Sequence, residues 1–219
     1  MNKQNKNDNA ANRKSYVGSI YNIGESNIKE RILSSLPSKW SKLHKEGYIH
    51  IHDLDAYGLT YNCLTFNLLK KFPYKDYKGL NSTKIVFGVF EFLKELFEKI
   101  GNEQSGGMAL ANFDNDIATI LEKLWVNYQE QAEVIKAAIR GLILWCNNNH
   151  CRMGQTSFYV TLNIGLAKNE FARFIALSLL DEFSKSGDLV YKPNIVFKVH
   201  NGVNRKPKDI NYDILVKAL

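Results

Sequence analysis

The strongest constraint on the fold is a short alternation set between two helical stretches. From Phe158 to Ile164, the side chains Phe158, Val160, Leu162 and Ile164 fall on one side and Tyr159, Thr161 and Asn163 on the other, the period of a half-buried strand. Upstream, Ile117 to Cys146 keeps helical spacing through Ile117, Leu121, Leu124, Ile135, Ile139 and Leu142, with a break near Gln129–Gln131. Downstream, Asn169 is placed to cap a helix that carries Phe171, Phe174, Ile175 and Leu179 and stops at Gly187. A strand over Ile195–Val199 and a helix from Tyr212 to Leu219 follow. Strands separated by helices imply an α/β layered or barrel architecture. Only about three strands are countable, few for a closed barrel. The last helix has no C-cap, so the expectation is a portion of a larger domain.

Nearer the N-terminus, Met1 to Asn12 is rich in Asn, Lys and Asp and has little to bury, which predicts a flexible arm over residues 1–15. Ser26 reads as the N-cap of a helix ended by Pro37, and Ser38 as the start of a short one ended by Gly47. Tyr48-Ile49-His50-Ile51-His52 then alternates like a strand, which would put both histidines on one face. Asp53, Asp55 and Gly58 break it, and Thr60–Leu68 resumes as a second extended run with Cys63 in its middle. Lys70–Gly79 is a basic, aromatic loop around Pro73. Asn81 or Ser82 starts a helix stopped by Gly101, and the glycine loop Gln104–Ala109 leads to Asp114 or Asn115 as the cap of the next.

The 219 residues, 45% hydrophobic, suffice for one sizeable core. The net charge of +7 comes from lysines and arginines interspersed with acids rather than from a nucleic-acid stripe, so no nucleic-acid partner is expected. Three cysteines at irregular spacing argue against a disulfide framework and for a reducing, cytoplasmic setting. No apolar run is long enough for a bilayer, so no membrane partner is expected either.

Three chemistries compete for the polar residues. His50-x-His52, with Asp53 or Asp55 and a distant His200, has the spacing of a metal-dependent hydrolase, but the motif is short and also serves structural roles. Cys146, His150 and Cys151 suggest zinc but lack a fourth ligand, so no metal site is assigned. Thiol chemistry at Cys63 is the third, set against a cysteine that merely packs as a small hydrophobe. Backbone amides of the Gly106-Gly107 loop could hold an anion, or the glycines could mark a simple turn.

The segment HKEGYIHIHDLDAYGLTYNCLTFNL resembles the first active-site segment of anaerobic, glycyl-radical (class III) ribonucleoside-triphosphate reductases. The likeness continues in the family's order through SGGMALANFDNDIA, GQTSFYVTLNIGLA and KPNIVFKVHNGVNRKPKDINYDILVKAL. The resemblance implies an α/β fold, a partial (half) ten-stranded α/β barrel with covering helices over residues 16–219. It implies that Cys63 is the strand thiol that supplies hydrogen as the ribose 2′ hydroxyl leaves as water. Substrate contacts would come from Asn62, His52, Gln155, Thr156 and Ser157. Gly106, Gly107 and Asp114 would lie near the dimer face where ATP or deoxynucleotide effectors bind. The implied partners are a ribonucleoside triphosphate, a radical-SAM activase, a homodimer mate, and formate or a thioredoxin-like protein as reductant. The downstream thiyl cysteine, zinc site and glycyl-radical motif of the family do not occur in this sequence. The expectation is therefore an N-terminal piece that needs a complementary C-terminal polypeptide. The alternative is an inactive remnant or a nucleotide-binding and dimerising module.

Overall fold

The computed structural model describes residues 16–149, 157–187 and 190–219. Its centre is a four-stranded sheet, all parallel, in the order β1 (Leu64–Thr65), β2 (Met108–Leu110), β3 (Val160–Ile164), β4 (Asn194–Phe197). Helices intervene between consecutive strands: α3 (Leu68–Lys71) and α4 (Ser82–Gly101), then α5 (Phe113–Lys123) and α6 (Ala132–Asn148), then α7 (Glu170–Lys185). Two helices, α1 (Tyr16–Ser35) and α2 (Ser38–Lys45), precede the sheet, and α8 (Tyr212–Ala218) follows it.

The alternation of β3 decides which face the helices cover. Val160, Leu162 and Ile164 are buried with Met108 and Leu110 beneath α4 to α7, where Phe90, Phe97, Phe113 and Ile175 complete one core. Burial of this kind supplies about 1.5–3 kcal/mol per large side chain. Thr161, paired with Ala109 and Asn194, and Asn163, paired with Val196, lie on the opposite face. That face is uncovered: Thr65 is exposed and Val196 is 44% exposed. Val160, Leu162, Phe197 and Val199 would stand on the uncovered face if the apolar side of the strands lined the barrel. The structure reverses this for Val160, Leu162 and Phe197, which pack into the helix-covered core because the helices need the apolar side, and leaves Val199 exposed.

The caps agree with the sequence at Asn81 and Asn169, whose side chains accept from the Lys84 and Ala172 amides. Ser26 is not a cap; it lies inside α1 and its hydroxyl donates to the Asn22 carbonyl. The break expected near Gln129–Gln131 is the turn between α5 and α6. β2 has no strand-length signal, since only three residues separate the glycine loop from the turn into α5.

Tyr48–His52 is not a strand. The Tyr48 and Ile49 amides donate to the Leu43 carbonyl, and the Ile51 amide donates to His44 Nδ1 at 3.2 Å. The backbone groups that a strand would offer to a neighbour are thus used to close α2, and Asp53, at φ +47, bends the chain onward. Among the described residues no helix is long and apolar enough to cross a membrane.

At the other end of the sheet a buried polar cluster ties the loops together. Asp114 accepts from the Gly165 amide at 2.9 Å, and Lys198 Nζ donates to the Ala111 carbonyl and Asn112 Oδ1. Asn204 donates to the Gly165 and Lys198 carbonyls, and Asn211 to those of Gly165 and Ala167. These pairings satisfy backbone groups that the ends of β3 and β4 would otherwise leave buried and unbonded.

Candidate active site

Cys63 stands just before β1, at the N-terminal end of the sheet, and its side chain is exposed. The thiol donates to Asn62 Oδ1 at 3.5 Å and accepts from the Gly107 amide at 3.4 Å. The chain reaches this geometry through parallel pairing: the Ser105 amide donates to the Tyr61 carbonyl, the Gly106 amide to that of Asn62, and the Leu64 amide to that of Gly107. Both glycines are needed for the close approach. A Cβ on Gly106 would lie 2.5 Å from Cys63 Sγ and 2.6 Å from the Asn62 carbonyl oxygen, and one on Gly107 would lie 2.5 Å from the Tyr159 ring. No side chain of the 106–107 loop therefore stands over the sulfur.

The sequence-derived residues divide between two ends of the sheet. Asn62, Cys63, Gly106, Gly107 and Ser157 all precede strands and gather at the N-terminal end. Asp114 follows β2 and lies at the opposite end, so it does not share a pocket with the two glycines. Its carboxyl is pushed above the ordinary carboxylate range by burial, against the pull of the Gly165 and Asn115 amides and the Lys198 charge. Asp116 is raised as well, by burial first and then by the neighbouring Asp114 charge. A cavity of about 280 Å³ opens beside Asp114, lined also by Asn112, Asn115, Leu166 and Ala167.

His52 is exposed, with Nε2 3.4 Å from Asp53 Oδ1. Its ring lies 6.1 Å from that of His50, which lies 5.8 Å from that of His44. The histidine that fixes the turn is His44, through Ile51, and nothing in the His50-x-His52 pattern singles it out. Among the described residues no three His, Cys, Asp or Glu side chains are arranged to hold a metal ion. His200 follows β4, and among the described residues it joins His50 and His52 in no group arranged to hold a metal ion.

Ser157 is buried and accepts a hydrogen bond from the buried Lys192 ammonium, a residue that sequence reasoning missed. A lysine before a proline carries no motif; only the fold brings it beside β3. Gln155 and Thr156 lie outside the described residues, as do His150 and Cys151. Cys146 is fully buried in the core, and burial pushes its thiol up to about 12, which makes it an inert packing group.

Comparison with known proteins first gives the class. Two crystal structures of the anaerobic ribonucleotide reductase from Thermotoga maritima share the fold. One, with citrate in the active site, superposes with a TM-score of 0.58 at 11% identity, over 91% of this chain and 41% of that one. The other, with dATP bound in the specificity site, superposes with a TM-score of 0.60 at 12% identity, over 92% of this chain and 39% of that one. The sheet and its helices are thus part of an α/β barrel of the reductase type. The family model described as anaerobic ribonucleoside-triphosphate reductase matches residues 8–219, and the chain belongs to that family.

The anaerobic ribonucleoside-triphosphate reductase of Escherichia coli K12 is 26% identical, over 84% of this chain and 29% of its own length. That of enterobacteria phage T4 is 25% identical, over 84% of this chain and 34% of its own length. The chain therefore spans about a third of the length of the curated relatives it matches.

Proposed function

We propose that this chain forms the Cys63 side of a ribonucleoside-triphosphate reductase site and works with a complementary polypeptide that completes the barrel. The observation that carries this reading is the exposed Cys63 thiol on the edge of an uncovered sheet face, with glycines 106 and 107 clearing the space around the sulfur. A thiol is the side chain suited to giving up a hydrogen atom, since its S–H bond is weak and the sulfur can afterwards bond a second sulfur. In this role Cys63 passes its hydrogen to the ribose as the 2′ hydroxyl leaves as water. Formate or a thioredoxin-like protein restores the reducing equivalents.

The surroundings fit radical chemistry begun elsewhere in the assembly. When present, a glycyl radical on the complementary polypeptide, formed by an activase, supplies the initial oxidising centre. Asn62 and the Gly107 amide orient the sulfur, Ser157 stands at the same end of the sheet, and His52 is assigned a contact to the substrate. The reductase domain covers residues 16–219. The setting is cytoplasmic, and ATP or deoxynucleotides regulate the completed dimer. No observation favours the hydrolase reading.

The test is anaerobic deoxynucleotide formation with activase, reductant and a complementary C-terminal polypeptide. Cys63→Ser abolishes product, a loss of at least about a thousandfold for a group acting directly on the reacting atoms. Cys146→Ser retains substantial turnover because that thiol is sealed in the core. Equal turnover in Cys63→Ser and the parent would sink the assignment.

A further inference from the structure

The basic, aromatic loop after β1 has no part in the thiol site. Residues 70–84 hold five lysines and one aspartate, a net of +4 out of the whole chain's +7. Lys70, Lys71, Lys75, Lys78 and Lys84 are all exposed, and none forms an ion pair among the described residues. Beneath them is a rigid base. The buried Phe72 ring contacts those of Tyr74, Tyr77 and Phe92 at centroid distances of 5.0, 4.8 and 5.2 Å, and the Tyr77 hydroxyl donates to the Gly88 carbonyl at 3.0 Å. The lysines are thus mounted on a fixed knob rather than a loose loop.

Trp125 adjoins this knob. Lys123 Nζ lies 5.2 Å from the Tyr74 ring centroid, and Thr83 donates to Gln131 at 3.1 Å. The stretch between these anchors carries Trp125, which is 90% exposed and has φ +60. A bulky side chain in the left-handed region costs about 1–3 kcal/mol, and an exposed indole recovers none of this by packing. Glycine would serve the turn better on both counts.

We propose that Trp125 and the lysines of the adjoining knob form a docking surface for a second protein whose contacting surface is acidic. An aromatic anchor ringed by charges is the anatomy of a protein interface: the indole fills a recess in the partner and the ammonium groups steer encounter at the rim. Pairing with a second copy through this face would set like charges against each other. Single-stranded nucleic acid needs successive stacking rings, and here Phe72, Tyr74 and Tyr77 are committed to the knob, leaving one. Asp76, Glu95, Glu122 and Glu130 are carboxylates beside the surface, with Asp116 buried near Tyr74; Glu95 is already paired with Lys99 and Asn127 donates to Glu130 at 3.1 Å.

The probe is a fluorescein-labelled 16-residue peptide of Glu, Asp and Leu, titrated by anisotropy into the full chain at 50 and 200 mM salt. A 16-nucleotide single strand is the competitor class. Trp125→Gly keeps the turn and raises the unfolding temperature, yet weakens peptide binding about tenfold, the range of an interface anchor. The triple variant Lys71→Glu, Lys75→Glu, Lys78→Glu loses at least about tenfold and most of its salt dependence. A control of equal net charge, Lys168→Glu, Lys206→Glu, Lys208→Glu, stays within about threefold because those lysines lie elsewhere on the surface. Unchanged binding in Trp125→Gly, equal losses in the two triple variants, tighter binding of the nucleic acid, or no binding by the parent would each overturn the proposal. None of these outcomes bears on the Cys63 assay, so the reductase reading is tested separately.

Discussion

Two residues carry most of the physics of the two ends of the sheet. At the N-terminal end Gly106 is a steric vacancy that the thiol occupies. Gly106→Ala would place a methyl 2.5 Å from Cys63 Sγ and 2.6 Å from a backbone oxygen that cannot swing away. The expected cost is about 1–3 kcal/mol in urea unfolding. A changed rate of Cys63 reaction with a disulfide reagent should accompany it, because the sulfur must move. At the other end Asp114 ties α5 to the loop after β3. Burial raises its carboxyl, so the native state holds that proton to a higher pH than the unfolded chain does. Stability linked to this group is fully present below the unfolded value of about 4 and is lost as pH rises through the raised native value. Asp114→Asn has no such titration, and it also removes the charge that helps to raise Asp116. The stability of the parent minus that of the variant should therefore fall as pH is raised from about 4 through that window. A difference that grew with pH would mean that the Gly165 and Asn115 hydrogen bonds outweigh burial.

Among the elements, β3 makes the division between covered and open faces testable. Leu162→Ala opens a cavity under the helices and should cost about 2–5 kcal/mol, while Thr161→Ala, one residue away on the open face, should cost less than about 1 kcal/mol. Chemical unfolding of the two variants measures both, and similar costs would mean that the face assignment is wrong. β3 was legible because five residues keep strict alternation, and α4 and α7 because Asn81 and Asn169 announce their starts with apolar faces behind them. β1 and β2 were not, since a ladder of two or three residues is shorter than the window in which a period shows. Tyr48–His52 misled for the opposite reason. It alternates well, but α2 captures its amides first, and no local pattern reports that competition. The candidate site divides in the same way. Cys63 and its glycine neighbours stand out in sequence, whereas Lys192 and His44 acquire meaning only from what the fold sets beside them.

At the scale of the whole molecule, the uncovered face is the feature to explain. All-parallel sheets are found with both faces covered, and here only one is, with β1 and β4 as open edges. The open face carries Thr161, Asn163 and Val196 rather than a continuous apolar layer, so it suits a site wall better than a second core. Ribonucleotide reduction needs a stored radical, a relay thiol within transfer distance of the substrate, and walls that keep water and oxygen from the intermediates. Of these the described residues supply one exposed thiol and one wall; the other described thiol, Cys146, lies under the helices. The 219-residue chain with activase and reductant should therefore make no deoxynucleotide. Adding a complementary C-terminal polypeptide should restore it and slow amide exchange at Thr161 to Ile164 and Asn194 to Phe197, as the open face is covered. Product from the chain alone, measured anaerobically by chromatography of labelled cytidine nucleotides, would show that the site closes by some other route. Unchanged exchange on mixing would mean that the open face is not where the second polypeptide sits.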